Sequence, residues 1–377
     1  MFDLIIVGGG IAGLAFALKG CEAGKKVLII EKNEGPNEAS IRNFGMVLPL
    51  GMPKGSALNR AMKSKEVWKH YAKKAKFWAN ECGMLMVAHH DDEMAAMEEF
   101  HTDISLPPYQ TRLLNAEQAK VLSPGVNPKG LRGALFSQTD VLINPQQALT
   151  QLTQYLYGFE NSQLQYNTLV SHFESNDKGV KVVTNKGVFE GRQVVCCPGH
   201  QFASLFDLEA DQAPTVCKLQ MVRTLKQTQN WAFGPMMSTG LSMLHYPAFD
   251  QVKSLQAVRN RVEQDHPELI QYGIHLLAAQ HQTGEITLGD SHEYGNTPSP
   301  FINQRINQLI LEYAQKVMTL PSWELKEQWI GIYSKAKTDH VYWEQPQDNL
   351  FLITGLGGTG MSTSFAIAEE WFKEHQH

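Results

Sequence analysis

Cysteine is scarce in this chain of 377 residues, which contains only Cys21, Cys82, Cys196, Cys197 and Cys217. The five form no CxxC pair and show no spacing typical of metal ligands. An odd, scattered set argues against a disulfide framework and for free thiols in a reducing compartment. We therefore expect a cytoplasmic protein.

Runs of like charge and long apolar runs are also missing. Lys and Arg total 33 against 38 Asp and Glu, a net charge of -5, which disfavours attraction to nucleic acid. The most apolar stretch, residues 4–18, contains a glycine triplet and follows Asp3 rather than a basic segment. Because it is too short to cross a membrane and lacks a basic start, we expect neither a membrane span nor a signal peptide.

No Ser- or Gly-rich linker, repeat or low-complexity tract divides the chain. The length nevertheless suits roughly two domains of about 150 residues. A hydrophobic share of 43% is typical of folded globular proteins and excludes disorder as the main state.

The start of the chain predicts a strand, a helix and a second strand. A β-branched run at 4–7 is followed by a segment of helical period at 11–22 and by an apolar run at 27–30. Such a unit, opened by a glycine-rich turn, is typical of dinucleotide-binding folds.

The turn reads Gly8-x-Gly10-x-x-Gly13, and each glycine has a separate task. Gly8 permits a tight turn, Gly10 lets a pyrophosphate approach the backbone, and Gly13 allows close packing of helix on strand. The helix that begins at Ile11 would direct its free N–H groups, including that of Ala12, at the pyrophosphate.

Glu31 ends the second strand, where a carboxylate can accept hydrogen bonds from both ribose hydroxyls. An acid there also repels a 2′-phosphate, which disfavours NADP. A tight turn in another α/β protein is the alternative, but strand, helix, second strand and acid all favour a dinucleotide. At this point NAD and FAD both remain candidates.

A second glycine run favours FAD. A predicted strand at 350–353 is followed by Gly355-x-Gly357-x-x-Gly360 and by a helix through Trp371. The sequence after this helix has no room for another strand or a ribose acid, so the run is not a complete nucleotide site. We interpret it as a turn that delivers a second helix N-terminus to the same cofactor, where it would favour negative charge on a reduced flavin.

Four segments, GGGIAGL…IIE, LINPQQAL, VVCCPGH and ITGLGGTGMSTS, resemble the D-amino acid oxidase, glycine oxidase and sarcosine oxidase family of FAD-dependent amine oxidases. The resemblance spans essentially the whole chain in the same order. SIRNFGMVLPLG and GDSHEYG further resemble a branch associated with phosphonate catabolism. The resemblance implies a mixed α/β fold, in which a Rossmann-like FAD-binding domain carries an inserted antiparallel-sheet substrate domain.

The same resemblance implies discontinuous domains. The FAD-binding domain would consist of residues 1–82, 140–212 and 326–377. The substrate-binding domain would consist of residues 83–139 and 213–325.

Cofactor contacts are implied by the resemblance as well. Arg42 could donate two hydrogen bonds to a phosphate of the cofactor, and the alternative interpretation is that it is a surface arginine that binds no ligand. The residues expected at the pyrophosphate are Gly10, Ile11 and Ala12, with Ser40 and Arg42 nearby. Those expected at the adenosine are Glu31, Lys32 and Val170, with Pro198 and Gly199 in a turn beside the cofactor. Those expected at the flavin ring are Asn43, Phe44, Gly45, Met46 and Val47 on one side and Gly357, Gly358, Thr359, Gly360 and Met361 on the other.

Some relatives bind FAD through a cysteine near the C-terminal flavin segment. The last cysteine here is Cys217, so we expect non-covalent FAD.

No metal site is expected. His89, His90, Asp91, Asp92 and Glu93 look like ligands, but MLMVAHH is typical of a strand end and DDEMAAMEEF of a helix start. We predict that Asp91 or Asp92 is the N-cap of that helix.

His292 and Glu293 are candidates for a catalytic site, because GDSHEYG follows the predicted strand ITLG directly. Loops at strand ends are where sites are commonly built, although a solvated turn is the alternative.

Relatives of the glycine oxidase type place an arginine, which grips the substrate carboxylate, in a G-x-R-P segment. Here WIGIYSKAKTD has Tyr333 and Ser334 at those positions, followed by Lys335 and Lys337. A lysine does not replace the planar arginine fork. The donors expected to bind the substrate's anionic group are Tyr333, Lys335, Lys337, His292 and Arg42.

The implied reaction is transfer of a hydride from the carbon beside an amine nitrogen to flavin N5, followed by hydrolysis of the imine. The expected substrate is a small amine, an N-methylated or primary aminoalkylphosphonate, with glycine or sarcosine as the second choice and O2 as acceptor. Four alternatives remain open: a dehydrogenase, a flavin monooxygenase, a tRNA-modifying flavoprotein and a non-catalytic redox sensor. The absence of a complete NAD(P)H fingerprint disfavours the monooxygenase, and the net charge disfavours tRNA.

Overall fold

The computed structural model of this protein describes residues 1–105, 107–228, 230–338 and 340–375. The strands are β1 (Phe2–Val7), β2 (Val27–Ile30), β3 (Met46–Val47), β4 (Ala79–Asn80), β5 (Met84–Ala88), β6 (Thr111–Asn115), β7 (Gly133–Ser137), β8 (Val141–Ile143), β9 (Ser162–Gln165), β10 (Val170–Asn176), β11 (Gly179–Thr184), β12 (Gly187–Cys196), β13 (Thr215–Thr224), β14 (Met236–Thr239), β15 (Leu277–Gln280), β16 (Ile286–Gly289), β17 (Glu293–Tyr294), β18 (Leu325–Lys335), β19 (Tyr342–Gln347) and β20 (Leu350–Thr354).

The α-helices are α1 (Ile11–Glu22), α2 (Ser56–Ala75), α3 (Asp91–Glu99), α4 (Ala116–Leu122), α5 (Pro145–Tyr157), α6 (Gly240–Met243), α7 (Leu255–Asp265), α8 (Pro267–Gln271), α9 (Gln304–Val317) and α10 (Gly360–Glu374). A π-helical turn covers Phe100–Ser105, and 3-10 turns cover Pro49–Gly51, Gly199–Ser204, Pro247–Phe249 and Gly357–Thr359.

An eight-stranded sheet contains both glycine turns. Its main path is β10-β11-β12-β1-β2-β9, and β20 joins β12 and β19. The pairs β1–β12, β1–β2, β2–β9 and β12–β20 are parallel, so these five strands end at one edge of the sheet. The predicted strand, helix and strand at the start of the chain are confirmed as β1, α1 and β2.

Side chains on both faces of this sheet are buried, as is usual for parallel strands. Leu4 and Ile6 of β1 pack against the helices α1, α2, α5 and α10, whereas Ile5 and Val7 pack on the opposite face with β10 and β11. The same alternation places Cys196 on the second face and Cys197 toward the first, so these two cysteines point away from each other.

A nine-stranded sheet is almost entirely antiparallel, in the order β17-β13-β16-β15-β14-β5-β7-β6 with β18 paired to β13. Only β5 and β14 among its described pairs are parallel. A third, small sheet has the strand order β3-β8-β4. The architecture is the expected mixed α/β fold.

β18 differs from the predicted domain division. The boundary at residue 326 assigned it to the FAD-binding pieces, but it pairs along its length with β13, from Thr215↔Lys335 to Thr224↔Leu325. Strand β18 therefore belongs to the nine-stranded sheet, because its backbone hydrogen bonds are made there.

The prediction that Asp91 or Asp92 caps a helix is wrong by one residue. Helix α3 begins at Asp91, and His90 is its N-cap. Glu93 Oε2 accepts hydrogen bonds from the backbone N–H groups of His89 and His90 at 2.8 and 3.2 Å. The acidic first turn is as expected, and its carboxylates serve the helix start.

Among the described residues, no helix is both long and apolar enough to cross a membrane.

Gly45 provides a test of backbone packing beside β3. Its φ is +76°, and a Cβ there would lie 1.8 Å from the Ile143 carbonyl oxygen. Gly24 has nearly the same φ, +75°, with open space around it. We expect Gly24→Ala to lower the free energy of unfolding by about 1–2 kcal/mol through φ strain alone. Gly45→Ala should lose about 1–3 kcal/mol more, because β3 must move from β8.

Chemical denaturation of the two apoproteins and the wild type measures this difference. Equal losses of unfolding free energy in the two variants would show that β3 can move away from β8 without destabilising the protein.

Candidate active site

A single cavity of about 590 Å³ is lined by residues of both large sheets. Of the cofactor residues expected from the sequence, all but Gly45 and Val47 are among its described lining residues. Val47 is fully buried in β3, and the space beside Gly45 is taken by the Ile143 carbonyl. The separated motifs therefore meet at one place.

The first glycine turn is as tight as its sequence predicts. Gly8 has a φ of +105°, and a Cβ added there would lie 2.4 Å from the Cys197 carbonyl oxygen. A Cβ on Gly13 would lie 1.8 Å from the Gly8 oxygen, so only glycine lets α1 approach β1 this closely. Ser40 Oγ accepts a hydrogen bond from Ile11 N at 3.0 Å at the start of α1.

Glu31 is buried beside this turn and lines the cavity. Its carboxylate accepts hydrogen bonds from Gly9 N at 2.7 Å and from Asn33 N at 2.9 Å. Two such bonds leave lone pairs on both oxygens for a ligand hydroxyl. The predicted ribose contact is compatible with these bonds, and Glu31 has a further task, since it holds the turn itself.

Lys32 and Arg42 border the same part of the cavity. Lys32 Nζ donates to Gln201 Oε1 at 2.6 Å and to Glu38 Oε1 at 3.1 Å. Arg42 Nη1 donates to the Ile330 carbonyl at 3.3 Å, which ties this segment to β18. Arg42 is thus a partly buried group at the cavity and not a free surface arginine.

The C-terminal glycine turn brings a second helix to the cavity. Gly355 and Gly357 have φ values of +70° and +58°, and α10 begins at Gly360. A Cβ on Gly360 would lie 3.9 Å from Ile11 Cγ2, so the N-termini of α1 and α10 lie side by side. Val170, Pro198 and Gly199 line the cavity from β10 and the end of β12.

Tyr333, Lys335 and His292 line the cavity, whereas Glu293 and Lys337 lie elsewhere. Glu293 Oε2 lies 3.2 Å from the buried Lys218 Nζ. Lys337 Nζ donates to the Ala210 and Asp211 carbonyls at 2.9 and 2.7 Å. Neither of these two side chains therefore lines the cavity in which the substrate is expected to bind.

Among the cavity residues that sequence reasoning missed are His245, Tyr246, His275 and Asp290. Asp290 belongs to GDSHEYG, so the strand-end argument that selected His292 applied to it equally. His245 follows the short helix α6, and His275 precedes β15, with no local pattern that marks either. Only the tertiary structure brings these histidines to His292.

The histidines form a stack at the cavity wall. The ring centroids of His245 and His275 lie 4.7 Å apart, and those of His275 and His292 lie 5.1 Å apart. Tyr333 contacts His292 edge-on, with 6.4 Å between ring centroids. We call His245, His275, Asp290 and His292 the histidine–aspartate cluster.

Burial sets the charge of this cluster. It lowers the pKa of His245 to about 2, with His275 and His292 adding to the shift, and it lowers the pKa of His292. Burial alone would raise the pKa of Asp290, but His292 and His275 lower it, and the net direction is downward. Around neutral pH, His245 and His292 are therefore uncharged and Asp290 is a carboxylate.

His292 is held in one tautomer by its hydrogen bond. Its Nδ1 lies 2.9 Å from the Gly273 carbonyl oxygen, which can only accept, so Nδ1 carries the proton. In the neutral ring Nε2 is then an acceptor. The expected role of His292 as a direct donor to an anion does not fit this geometry.

One protein family matches nearly the whole chain. The family of FAD dependent oxidoreductases, DAO, matches residues 3–371. The chain belongs to this family. A comparison with curated proteins gives no match.

Many solved structures have a fold similar to that of this DAO family member, and three of them are described here. L-proline dehydrogenase from P. horikoshii has a TM-score of 0.77 at 21% identity, covering 97% of this chain and 91% of its own. Glycine oxidase from Bacillus cereus ATCC 14579 has a TM-score of 0.77 at 16% identity, covering 100% and 98%. Dithionite-reduced L-alpha-glycerophosphate oxidase from Mycoplasma pneumoniae with FAD bound has a TM-score of 0.76 at 19% identity, covering 100% and 95%.

The predicted cofactor FAD is confirmed by this membership, and the cavity fits it. Glycines that a Cβ would block, two helix N-termini and a buried acid line one space, as a dinucleotide requires. Non-covalent binding stays a prediction. The cysteine that borders the cavity, Cys197, is unsuited to attachment, because burial raises the pKa of its thiol well above the ordinary value.

Glu31→Ala tests the adenosine end. Loss of one charged hydrogen-bonding partner costs about 1.5–3 kcal/mol, or roughly ten- to hundredfold in FAD affinity. We expect the variant to purify partly as apoprotein, measured by the ratio of flavin to protein absorbance. Glu34→Ala, an exposed acid in the same loop, is the matched control and should retain FAD. Full FAD retention by Glu31→Ala would remove the ribose assignment.

Proposed function

We propose that this DAO family enzyme oxidises the carbon–nitrogen bond of a small amine that carries an anionic group, specifically an aminoalkylphosphonate. The observation that carries this proposal is the course of β18. Tyr333 and Lys335 lie two residues apart on one face of the strand, and both line the cavity.

These two residues connect the two parts of the site. A Cβ on Gly357 would lie 3.5 Å from Lys335 Cγ, which places the lysine stem against the C-terminal glycine turn. Tyr333 lies at the histidine–aspartate cluster. A substrate held by both would sit between that turn, where the flavin ring is expected, and the cluster.

The available donors suit a tetrahedral anion. Burial raises the pKa of Tyr333 and of Tyr246, so both phenols remain protonated donors. Tyr246 Oη is buried with no hydrogen-bond partner among the described residues, which is expected of a group that serves a ligand. Lys335 adds a point charge, and no arginine fork stands at these positions of β18.

The fold is compatible with a phosphorus oxyanion, because the Mycoplasma pneumoniae relative is named for glycerophosphate. The relatives named for proline and glycine support an amine as the reacting group. Glycine or sarcosine is therefore the second candidate substrate.

Bound FAD supplies the two-electron acceptor for the C–H bond beside the amine nitrogen. The chain's own part is to position that carbon, to exclude water and to receive the amine unprotonated. The product imine is hydrolysed by water to a carbonyl compound and an amine or ammonia, and O2 is proposed as the final acceptor, with release of hydrogen peroxide.

Substrate preference tests this function. Measured by flavin reduction and by peroxide formation, kcat/KM should be larger for 2-(methylamino)ethylphosphonate than for sarcosine. Flavin reduction by amines without peroxide would indicate a dehydrogenase, and no reduction by any amine a redox sensor or another donor. Equal or better turnover of sarcosine or glycine would reject the phosphonate and retain an amine oxidase.

Two lysines of the same segment provide a matched pair of variants. Lys335→Met should raise KM for the phosphonate about fivefold or more, the factor that corresponds to about 1 kcal/mol from an exposed charge. Lys337→Met should leave KM unchanged, because that ammonium is bound to the Ala210 and Asp211 carbonyls. Steady-state kinetics of both variants make the comparison. An equal rise in KM in both would mean that bulk charge, not contact, attracts the substrate.

A further inference from the structure

His275, Asp290 and His292 present their ligand-type atoms to one another at the cavity wall. One nitrogen or oxygen atom of each lies within 4.8 Å of the others. His275 and Asp290 are aligned by two backbone hydrogen bonds, His275 N to Asp290 O at 3.2 Å and the reverse at 3.0 Å. The two residues are thus held opposite each other beyond the ends of β15 and β16.

Two of these three atoms are acceptors. His292 Nε2 is an acceptor, because Nδ1 donates to the Gly273 carbonyl. Asp290 Oδ1 is buried and has no hydrogen-bond partner among the described residues. His275 Nε2 lies 3.0 Å from that oxygen and would form an ion pair with it only as a protonated imidazole. A buried carboxylate whose one near partner is an imidazole is costly, and a cation would satisfy the carboxylate and both imidazole nitrogens.

We propose that His275 Nε2, Asp290 Oδ1 and His292 Nε2 bind one divalent transition-metal cation of the Zn²⁺ type. This departs from the sequence analysis, which expected no metal. Two imidazoles and one carboxylate form a ligand set that leaves coordination positions open to the cavity.

The surroundings of the three residues suit metal ligation. The second nitrogen of His292 is fixed by the Gly273 carbonyl, and that of His275 lies 3.4 Å from Ser242 Oγ, the support that metal-binding histidines usually have. Ligand atoms of tetrahedral Zn²⁺ lie roughly 3.4 Å apart, given bonds of about 2.0–2.1 Å. His275 Nε2 and Asp290 Oδ1, 3.0 Å apart, are already within this spacing, and the His292 ligand atom lies within 4.8 Å of both.

A role for the cation follows if the proposed function holds. A phosphonate close to Asp290 would meet a carboxylate and the lone pair of His292, both of which repel it. A bound divalent cation reverses that local charge and offers its open positions to the phosphonate oxygens. The alternative occupant is the substrate ammonium, but a carboxylate would hold that nitrogen protonated and oppose its oxidation.

Zn²⁺ binding to the FAD-loaded enzyme tests the site without any amine. The protein is treated with EDTA, dialysed and titrated with ZnCl2 by calorimetry, and its metal content is measured by mass spectrometry. We expect one Zn²⁺ per chain. Asp290→Asn and His292→Ala should each weaken binding at least roughly tenfold, the smallest loss seen even when only a supporting group is removed.

His172→Ala is the matched control for adventitious binding, because His172 Nε2 and Glu174 Oε1 form an exposed pair 3.4 Å apart. This variant should keep the full affinity. The proposal is overturned if the wild type binds no stoichiometric Zn²⁺, or if binding is lost in His172→Ala and retained in His292→Ala. Thermal melts identify a variant that fails to fold. If Asp290→Asn fails to fold, the Zn²⁺ affinity of His292→Ala is the test of the site.

A second measurement separates the metal from the proposed substrate. With Zn²⁺ bound, KM for 2-(methylamino)ethylphosphonate should be lower than after EDTA, and KM for sarcosine should change less. Stoichiometric Zn²⁺ without any turnover of phosphonates would retain the metal site and reject the substrate. Phosphonate turnover by an enzyme that binds no Zn²⁺ would reject the metal site and retain the proposed substrate.

Discussion

The parallel alignment of β1, β12 and β20 is the constraint on which the rest of this structure depends. Because the three strands run in one direction, the turns that follow them, at Gly8, Gly199 and Gly355, lie at one edge of the sheet. Each of these glycines has a positive φ, which lets the chain leave the sheet without a side chain in the way. The cavity exists where the three turns meet.

That edge also concentrates partial positive charge. Helices α1 and α10 begin directly after two of the turns, and their first residues touch at Ile11 and Gly360. Each N-terminus has backbone N–H groups without partners inside its helix. Glu31 and Ser40 accept hydrogen bonds from the neighbouring N–H groups of Gly9 and Ile11, and Gly10, Ala12 and Gly13 line the cavity beside them.

Strand β18 joins the cofactor edge to the second sheet. It is part of the nine-stranded sheet through β13, but Ser334 Oγ lies 2.9 Å from Thr354 Oγ1 and accepts from Gly355 N at 3.1 Å. A domain boundary drawn at residue 326 divides these elements by chain position, whereas hydrogen bonding ties β18 to both. Tyr333 and Lys335 lie at the cavity because of this double attachment.

The chemistry of the cavity wall differs from that of the cofactor edge, since it rests on buried charge. Asp290 stays ionised and His245 and His292 stay neutral in a desolvated place, which costs free energy unless a ligand completes the set. Such groups commonly mark functional sites. The cluster is therefore a candidate functional element of the cavity alongside the glycine turns.

The sequence by itself determined the features that are local. The spacing of Gly8, Gly10 and Gly13 identifies a turn between strand and helix. A Cβ on Gly13 would meet the Gly8 carbonyl oxygen five residues away, and one on Gly8 would meet the Cys197 carbonyl oxygen at the end of the partner strand. The incomplete second glycine run likewise predicted one shared flavin site. Tertiary structure alone decided the substrate end. His245 and His275 come from segments far from His292 in the chain, and the pairing of β15 with β16 brings His275 beside Asp290 and His292 without any short-range pattern that marks it. The pairing of β17 with β13 likewise places Glu293 beside Lys218, because the position of a strand side chain is set by register with its neighbour. Lys337 lies beyond the end of β18, where its ammonium binds the Ala210 and Asp211 carbonyls.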